Sequence, residues 1–327
     1  MRRVLFAVLL SVSLVAAGCG DDDDDGGASS ATTVALPEFP ADSTMTKIQQ
    51  NGKIVIGTKF NQLGSGLKNP TTGELEGFDI EIGRLVAAAL FGVDKDDADD
   101  KVEFKEAPTP QREFLIQKRE VDIIIATYTI NDARKNAVDF AGPYVVDGQT
   151  VMVKSDDTTI SELADLNGKK VCTGRNSTTP ANLTAKNVNA TLTLLDSYPE
   201  CATLLRQGRV DAVITDRGIL LGLADQSDGE FKLANIDVSE EPLGIGLFKG
   251  DDAFREFLND TLEEIFANGD WAAAYAATIG ELGVETPDAP TVNRYPGTGP
   301  STVVATTGVT AAPTTTTTVG SATTTTS

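Results

Sequence analysis

Hydrophobic and polar positions follow two different periods along the chain, and segments of the two kinds alternate. Short apolar runs typical of strands are KIVIGT (53–58), KVEFKEA (101–107) and VDIIIATY (121–128). Between them lie stretches with apolar residues at helical spacing, FDIEIGRLVAAALFG (78–92) and QREFLIQKRE (111–120). Strands that alternate with helices predict an α/β architecture with largely parallel sheets.

The same alternation repeats from residue 169 onward. The predicted strands and helices of this half are, in order, KKVCTG (169–174), PANLTAKNV (180–188), TLTLLDS (191–197), PECATLLRQGR (199–209), VDAVITD (210–216) and RGILLGLADQ (217–226). A weak internal repeat predicts two similar lobes. It consists of FLIQKREVDIIIATYT in the first half and LLRQGRVDAVITDRG in the second, which both run helix, turn, Val-Asp, apolar strand and then a polar residue. Because ligands bind outside the carboxyl ends of parallel strands, we expect Thr127, Thr129 and Asp216 to face one another across a cleft.

Two extended segments lie where the chain would cross between these lobes. They are PYVVDGQTVMVK (143–154) and IDVSEEPLGIGLFKG (236–250), and the helical stretch after the second one would return to the first lobe. Two crossings predict a two-strand hinge. The predicted division is lobe 1 at residues 46–149 and 243–285, and lobe 2 at residues 150–242.

The beginning of the chain, MRRVLFAVLLSVSLVAAGCG, has two arginines before an apolar run. It predicts a signal peptide over residues 1–19, since the run is too short to be a permanent membrane span. The ending VAAGC resembles a bacterial lipobox, which implies a lipid on Cys19. Simple cleavage and release stays open, because Ala16 stands where leucine is commonest. Residues 20–45 are predicted to be a flexible acidic tether and residues 286–327 a disordered threonine-rich tail.

Composition removes several classes of function. The formal net charge of -21 argues against nucleic acid as a partner. The sequence contains 0 histidines, which removes Ser-His and Cys-His catalysis and histidine-ligated metal sites. We predict no catalytic residue, no metal and no cofactor. With Cys19 assigned to the lipobox, Cys172 and Cys201 can form one disulfide in an exported chain, and two buried free thiols are the alternative.

Four motifs occur in a fixed order. They are GELEGFDIEIGRLVAAAL (73–90), ATYTINDARKNAVDFAGPY (126–144), ADLNGKKVCTGRNSTT (164–179) and GRVDAVITD (208–216). In this combination residues 47–283 resemble family 3 of the bacterial extracellular solute-binding proteins, which serve ABC importers of polar amino acids. Residues 56–79 and the Cys172/Cys201 pair are similar to actinobacterial glutamate-binding lipoproteins. The resemblance implies a two-lobed α/β fold, periplasmic binding protein-like of type II, with a two-strand hinge.

The family pattern also implies which residues hold the α-carboxylate of the ligand. Arg134 matches the arginine that clamps it, and a planar guanidinium can donate two parallel hydrogen bonds to a carboxylate. Thr129 falls on the hydroxyl position five residues earlier. Ser177 and Thr178, in NSTT, fall on the partner loop in the second lobe.

The remaining assignments concern the α-ammonium and the far end of the ligand. Asp216 matches the acid that receives the ammonium, and the Thr127 region supplies a carbonyl or hydroxyl. Arg112 lies 22 residues before Arg134, the spacing at which binders of acidic amino acids carry an arginine for the side-chain carboxylate. Lys59 stands where binders of cationic amino acids carry an acid.

Each of these residues also has a purely structural interpretation. Lys59 and Arg112 would be ordinary exposed cations, and Arg134 an exposed helix residue. Asp216 and Thr178 would only cap the helices that follow them.

The predicted charges favour an acidic ligand. Lys59, Arg112 and Arg134 oppose one acid, Asp216, so glutamate, and next aspartate, would neutralise the site better than glutamine. We therefore predict a monomeric ABC-importer component, lipid-anchored outside the cell membrane, that captures glutamate by hinge closure and delivers it to a permease and its ATPase. The alternatives are a binder or sensor lipoprotein for glutamine or another polar amino acid, and a dehydratase-like enzyme on the same scaffold.

Overall fold

The computed structural model describes residues 36–296 of the 327-residue chain. The predicted signal peptide, Cys19 and residues 20–35 of the predicted tether lie outside the described residues. The predicted tail from residue 297 onward also lies outside them.

The alternation of strands and helices expected from the sequence is present. The α-helices of the described residues are Thr44–Asn51 (α1), Phe78–Phe91 (α2), Arg112–Gln117 (α3), Asp132–Lys135 (α4), Thr179–Ala185 (α5), Tyr198–Arg206 (α6), Arg217–Asp225 (α7), Asp252–Asn268 (α8) and Asp270–Ala276 (α9). The strands are Ile54–Thr58 (β1), Asn61–Gln62 (β2), Gly66–Lys68 (β3), Leu75–Glu76 (β4), Val102–Glu106 (β5), Ile123–Ile124 (β6), Asp139–Lys154 (β7), Lys170–Gly174 (β8), Thr191–Leu195 (β9), Ala212–Asp216 (β10), Phe231–Leu233 (β11) and Ser239–Leu247 (β12). Short 3₁₀ turns span Lys95–Lys101, Thr109–Gln111, Leu163–Leu166 and Ile279–Leu282.

The strands form one nine-stranded sheet and one small sheet. The order in the large sheet is β5-β1-β6-β12-β7-β10-β8-β9, with β11 also paired to β7. Strands β5, β1 and β6 are parallel at one end, and β10, β8 and β9 are parallel at the other. Between them, β12 and β7 run antiparallel to each other and to their outer neighbours. The expected parallel sheets are therefore joined by an antiparallel pair of long strands.

This central pair coincides with the two crossings predicted as the hinge. Strand β7 continues from lobe 1 into lobe 2, and β12 returns beside it with Ser239 opposite Gln149 and Leu243 opposite Val145. The buried apolar residues divide accordingly, two clusters being drawn from residues 45–145 and 243–279 and two from residues 151–238.

In lobe 2 the alternation along each strand sends side chains to both faces of the sheet. Val151 and Val153 of β7 belong to one buried cluster and Met152 between them belongs to the other. Val171 and Cys172 of β8 divide in the same way. Helices therefore cover both faces, as expected for a sheet whose strands are apolar on both sides.

In lobe 1 the returning helices complete the core. Phe78 opens α2 and packs edge-on against Trp271 of α9, with ring centroids 6.0 Å apart. The Trp271 indole donates to the carbonyl of Tyr144 in β7 at 2.7 Å. Burying three aromatic side chains fixes the C-terminal helices on lobe 1.

A few residues at both edges of the described chain contact lobe 1. Phe39, in the predicted tether, packs edge-on against Phe257 with ring centroids 5.3 Å apart. The Asn293 amide, in the predicted tail, donates to the Gly142 carbonyl at 2.9 Å. Arg294 donates to Asp260 of α8 at 2.6 Å. Phe39 and Arg294 therefore contact α8 of lobe 1, and Asn293 contacts β7.

Cys172 of β8 and Cys201 of α6 form a disulfide, which confirms the predicted pairing. The bond joins a strand of lobe 2 to the helix that covers it, and it closes a loop with a sequence separation of 29 residues.

Replacing both cysteines tests the contribution of this cross-link. We expect the Cys172→Ser/Cys201→Ser variant to lose about 3–4 kcal/mol of unfolding free energy, because its unfolded chain regains the entropy of the open loop. Urea unfolding of the wild type with its disulfide intact and of the variant measures the difference. Dithiothreitol should lower the midpoint of the wild type alone, and equal effects on both proteins would contradict the prediction.

Candidate ligand-binding site

The candidate site lies where the parallel strands of the large sheet end. Lys59 follows β1, the segment 125–131 follows β6, the loop 175–178 follows β8, and Asp216 is the last residue of β10. These are carboxyl ends of strands, the edge at which ligands bind in open α/β sheets.

A narrow cavity at this edge brings residues of both lobes together. Its lining residues are Thr109, Arg112, Thr127, Thr129, Arg134, Gln149, Ser177, Thr178, Tyr198 and Asp216. Seven of the eight residues predicted to contact ligand are among them, and Lys59 is the exception. Thr109, Gln149 and Tyr198 were missed, because no charge or motif in the sequence marks them.

Arg134 is buried in α4 and spans the two lobes. Its Nη1 donates to the Thr129 carbonyl at 2.8 Å, and its Nη2 donates to the Asn176 carbonyl in lobe 2 at 3.1 Å. Burial, reinforced by the Arg112 charge, lowers the pKa of Arg134 to about 10, so the guanidinium stays cationic at neutral pH. It is not an exposed helix residue.

Asp216 is 5% exposed and faces the same cavity. Burial raises the pKa of its carboxyl well above the ordinary value, and the Asp147 and Glu241 charges raise it further. Asp216 precedes α7 but its side chain makes no capping hydrogen bond, and the same holds for Thr178 before α5. Capping therefore does not account for either side chain.

Asp79 at the start of α2 holds the turn at Thr127. Its Oδ2 accepts from the Thr127 amide at 3.0 Å and its Oδ1 from the Tyr144 hydroxyl at 2.7 Å. Thr127 has φ of 45°, a left-handed conformation that is uncommon for a threonine. Burial raises the pKa of Asp79 to about 6, against the effect of these two hydrogen bonds. The sequence interpretation missed this carboxylate.

Arg112 is 2% exposed, so it is not a surface cation. Its Nη1 donates to the carbonyls of Ala126 and Thr127 at 2.9 and 3.0 Å. The guanidinium lies 4.2 Å from the centre of the Tyr128 ring. These contacts fix the segment after β6, and the side chain also lines the cavity.

Lys59 is also buried, and it lines a second cavity with Phe60, Gln62 and Glu106. Its Nζ donates to the Ala107 carbonyl and to the Thr109 hydroxyl, each at 2.9 Å. Burial, and then repulsion from Arg112, lowers the pKa of Lys59 well below its ordinary value. Thr109 and Tyr198 line both cavities, so the two are adjacent.

The charge balance of this region is more acidic than the sequence count suggested. Asp147 and Glu241 lie directly opposite each other on the hinge strands, and both act on the pKa of Asp216. Asp79 in turn opposes the loss of charge on Lys59. The count of three cations against one acid was therefore incomplete, because cross-strand neighbours are not visible in the sequence.

A larger cavity borders the hinge on another side. Its walls are mainly apolar, from residues such as Phe78, Leu221 and Tyr275. Its charged lining residues are Asp79, Asp147, Arg217 and Glu285. Both carboxylate oxygens of Asp147 accept hydrogen bonds, from the backbone amides of Gly148 and Gly218. We assign the ligand site to the smaller cavity, because its cation Arg134 and its acid Asp216 are both buried, whereas the side chain of Arg217, the cation of the larger cavity, is 37% exposed.

Comparison with known proteins identifies the class. Residues 54–281 match the family of bacterial extracellular solute-binding proteins, family 3. The chain belongs to this family, and the predicted α/β, two-lobed fold with a two-strand hinge is confirmed. The exact lobe boundaries stay predictions.

Particular relatives agree with this class. The chain is 35% identical to the glutamate-binding protein GluB of Corynebacterium efficiens, over 84% of this chain and 88% of that protein. It is also 35% identical to the ABC transporter glutamine-binding protein GlnH of Bacillus subtilis, over 73% of this chain and 85% of that protein. An ancestral arginine-binding protein bound to glutamine aligns with a TM-score of 0.63 and 33% identity, over 69% of this chain and 97% of that structure.

Two further findings concern residues 36–296. None of their helices has both the length and the apolar character needed to cross a membrane. No group of three or more histidine, cysteine, aspartate or glutamate residues there is arranged to hold a metal ion.

The raised pKa of Asp216 has a consequence for stability. We expect Asp216→Asn to raise the unfolding free energy of the ligand-free protein at neutral pH, because burial raises the pKa of the Asp216 carboxyl and the neutral amide does not carry that cost. The folded wild type holds its proton between the ordinary and the raised pKa, so wild-type stability relative to the variant falls as pH rises through that range. Urea unfolding over a pH series measures this. A variant that is less stable at neutral pH would contradict it.

Proposed function

We propose that this protein is the extracytoplasmic substrate-binding component of an ABC importer and that its substrate is a free amino acid, glutamate. The observation that carries the proposal is the position of Arg134 and Asp216, a cation and an acid that line one cavity. A free amino acid carries the two complementary charges on a single carbon atom. Membership of a solute-binding family and the named functions of the relatives support the same class of ligand.

The carboxylate half of the site centres on Arg134. A guanidinium has five N–H donors in one plane, and the carbonyls of Thr129 and Asn176 each receive one bond. The remaining donors are available to the α-carboxylate, and the hydroxyls of Thr129 and Ser177 line the same cavity. A lysine could not reproduce this planar geometry.

The ammonium half centres on Asp216. An ammonium that leaves water needs hydrogen-bond acceptors, and an ionised carboxylate supplies the strongest one. The Thr127 carbonyl is a further acceptor, because a carbonyl oxygen has two lone pairs and Arg112 Nη1 donates to it only once. A cationic ammonium favours the ionised form of Asp216, so the bound ligand would give Arg134 and Asp216 an opposite charge at the same time.

The distal half favours glutamate. Arg112 lines the first cavity and Lys59 lines the adjacent one, so an extended ligand side chain would meet buried cations at its far end. A carboxylate there would compensate the charges that burial and mutual repulsion destabilise, as the lowered pKa of Lys59 indicates. The Corynebacterium efficiens relative is named as a glutamate binder.

Glutamine is the second candidate, and a specific observation favours it. Lys59 and Arg112 already donate to neutral oxygen atoms, and Glu106 lines the distal cavity beside Lys59. An amide side chain could accept from these cations and donate to the acid without adding charge. The Bacillus subtilis relative, named as a glutamine binder, is equally similar in identity.

Capture would use closure of the two lobes about β7 and β12. The bond from Arg134 to the Asn176 carbonyl already joins lobe 1 to lobe 2 beside the cavity. A ligand that contacts both lobes shifts the open–closed equilibrium toward the closed form. A membrane permease with its ATPase would receive the ligand from that form, and the lipobox supports lipid anchoring of a monomer through Cys19.

The enzyme alternative has less support. A dehydratase needs a positioned acid–base pair. Among the described residues that line the candidate cavity, Asp216 is the one carboxylate. The curated relatives described above are named as binding proteins.

The direct test is calorimetric titration of the mature chain with each proteinogenic amino acid. We expect a single site with glutamate as the tightest ligand, followed by aspartate or glutamine. Tightest binding of glutamine would transfer the assignment to the second candidate. Preference for a cationic or aliphatic amino acid, or no binding by any of them, would overturn the proposal.

Lys59 and Arg112 should decide between the two ligands. We expect Lys59→Gln and Arg112→Gln each to weaken glutamate relative to glutamine by about tenfold, or about 1.4 kcal/mol, because a distal cation is lost. The ratio of the two affinities cancels any general damage from the carbonyls that Arg112 holds. Arg134→Gln serves as the control, which should weaken both ligands alike. An unchanged ratio in both distal variants would remove them from specificity.

Closure of the two lobes can be obstructed at a contact outside the candidate ligand site. Gly222 of α7, in lobe 2, lies so close to lobe 1 that an added Cβ would come within 2.5 Å of the Leu63 carbonyl. Gly222→Ala should favour helix α7 by about 1 kcal/mol yet weaken ligand binding by roughly tenfold, because the closed form is obstructed. Calorimetry and thermal unfolding of the ligand-free protein measure the two effects. Wild-type affinity in this variant would contradict the closure account.

A further inference from the structure

The two hinge strands and β10 present polar side chains on one face of the sheet. Ser239 of β12 lies directly opposite Gln149 of β7, and Gln149 lies directly opposite Asp216 of β10. Directly opposite residues share a face, and so do residues two positions apart on one strand. Glu241, two residues after Ser239, therefore projects to the same face as Asp216. Gln149 of β7 thus lines the candidate site, and Glu241 of β12 lies on the same face of the sheet.

Glu241 is 2% exposed and accepts three hydrogen bonds. Its Oε2 accepts from the Thr178 hydroxyl at 2.9 Å, and its Oε1 accepts from Asn182 Nδ2 at 2.8 Å and from the Ser239 hydroxyl at 2.5 Å. None of the ion pairs found in residues 36–296 includes it. A buried acid directly opposite a second acid, Asp147, destabilises the hinge strands.

The contact with Glu241 determines what the Thr178 hydroxyl can offer to a ligand. A hydroxyl has one hydrogen and two acceptor positions. Thr178 gives its hydrogen to Glu241 and accepts from Gln149 Nε2 at 2.8 Å. One acceptor position remains, so Thr178 can receive a hydrogen bond from a ligand but cannot donate one. This differs from its predicted role as a partner of the α-carboxylate.

Of the two charged groups on the α-carbon of an amino acid, only the ammonium can donate a hydrogen bond to the Thr178 hydroxyl. Gln149 Nε2, which donates to Thr178, also lies 3.5 Å from Oδ1 of Asp216, so the two acceptors are neighbours. Asn182 Nδ2 donates to Gln149 Oε1 at 3.1 Å as well as to Glu241, which fixes the orientation of the Gln149 amide. The Glu241 carboxylate and the Gln149 amide thereby hold the Thr178 hydroxyl beside Oδ1 of Asp216, so that two acceptors are neighbours.

We propose that Glu241 is a positioning residue for the ammonium half of the site, acting by holding the Thr178 hydroxyl as an acceptor beside Asp216. The proposal rests on the proposed amino-acid ligand and adds a residue that would not touch it. It also gives the hinge strand β12 an indirect part in ligand recognition, through Thr178. In a purely structural role, Glu241 would instead only tie α5 to the hinge.

A double-mutant cycle separates the two roles. We expect Glu241→Gln and Thr178→Val each to weaken glutamate binding by about three- to tenfold, the range for one hydrogen bond. The double variant should bind no more weakly than Thr178→Val alone, because both changes remove the same oriented acceptor. Thr178→Ser keeps the hydroxyl and should bind within about twofold of the wild type. Calorimetry measures each affinity, and thermal unfolding shows whether each variant is folded.

Several outcomes would overturn the proposal. A glutamine carbonyl can still accept from Thr178, so wild-type affinity in both Glu241→Gln and Glu241→Asp would show that the carboxylate has no positioning role. Fully additive losses would show that it does not act through Thr178. If Glu241→Gln does not fold, Glu241→Asp replaces it, since a carboxylate shorter by one methylene should no longer reach Thr178, and unchanged affinity there is equally contradictory. Failure of the wild type to bind any amino acid would remove the proposed function and this inference together, whereas binding with an inert Glu241 removes only the inference.

Discussion

The candidate ligand site depends on two side chains of opposite charge type that line one cavity without pairing. Arg134 and Asp216 are both almost fully buried and line the same space, yet no ion pair joins them among the described residues. Burial shifts the pKa of each group toward its neutral form. Such charges are costly unless something pairs with both. The proposed zwitterionic ligand would pair with both side chains, and the stability that the unliganded protein lacks would then contribute to binding.

The same opposition between stability and binding extends along the hinge. Asp147 and Glu241 are acids directly opposite each other on β7 and β12, an arrangement that disfavours the folded chain by itself. Thr127 is held in a left-handed conformation by the Asp79 carboxylate. Strain and like charge concentrated around one cavity are typical of a functional site that the surrounding fold stabilises. The disulfide of lobe 2 and the aromatic core of lobe 1 supply that surrounding stability.

The sequence predicted the framework of the site better than its details. Apolar runs and their polar ends were enough to place β1, α2, β8, β10 and α7, because those strands are buried on both faces and their helices are amphipathic. The resemblance to the solute-binding family, and no local pattern, predicted that Arg134 and Asp216 share one site, and both line one cavity. Gln149 and Glu241 lay inside predicted strands, but their proximity to Asp216 depends on strand register, which no local pattern specifies. The contacts of Phe39, Asn293 and Arg294 with lobe 1 were not predicted, because these residues lie in segments of polar composition.

The central claim is that both charged groups of the ligand's α-carbon are recognised at once. Titration of the wild-type protein with glutamate, N-acetylglutamate and the α-amide of glutamate tests it most directly, since each derivative removes one charge and leaves the side chain unchanged. The account predicts that only unmodified glutamate binds tightly and that each blocked form loses at least a hundredfold, or about 2.7 kcal/mol, in affinity. Comparable binding of either blocked form would contradict the recognition of a zwitterion by Arg134 and Asp216.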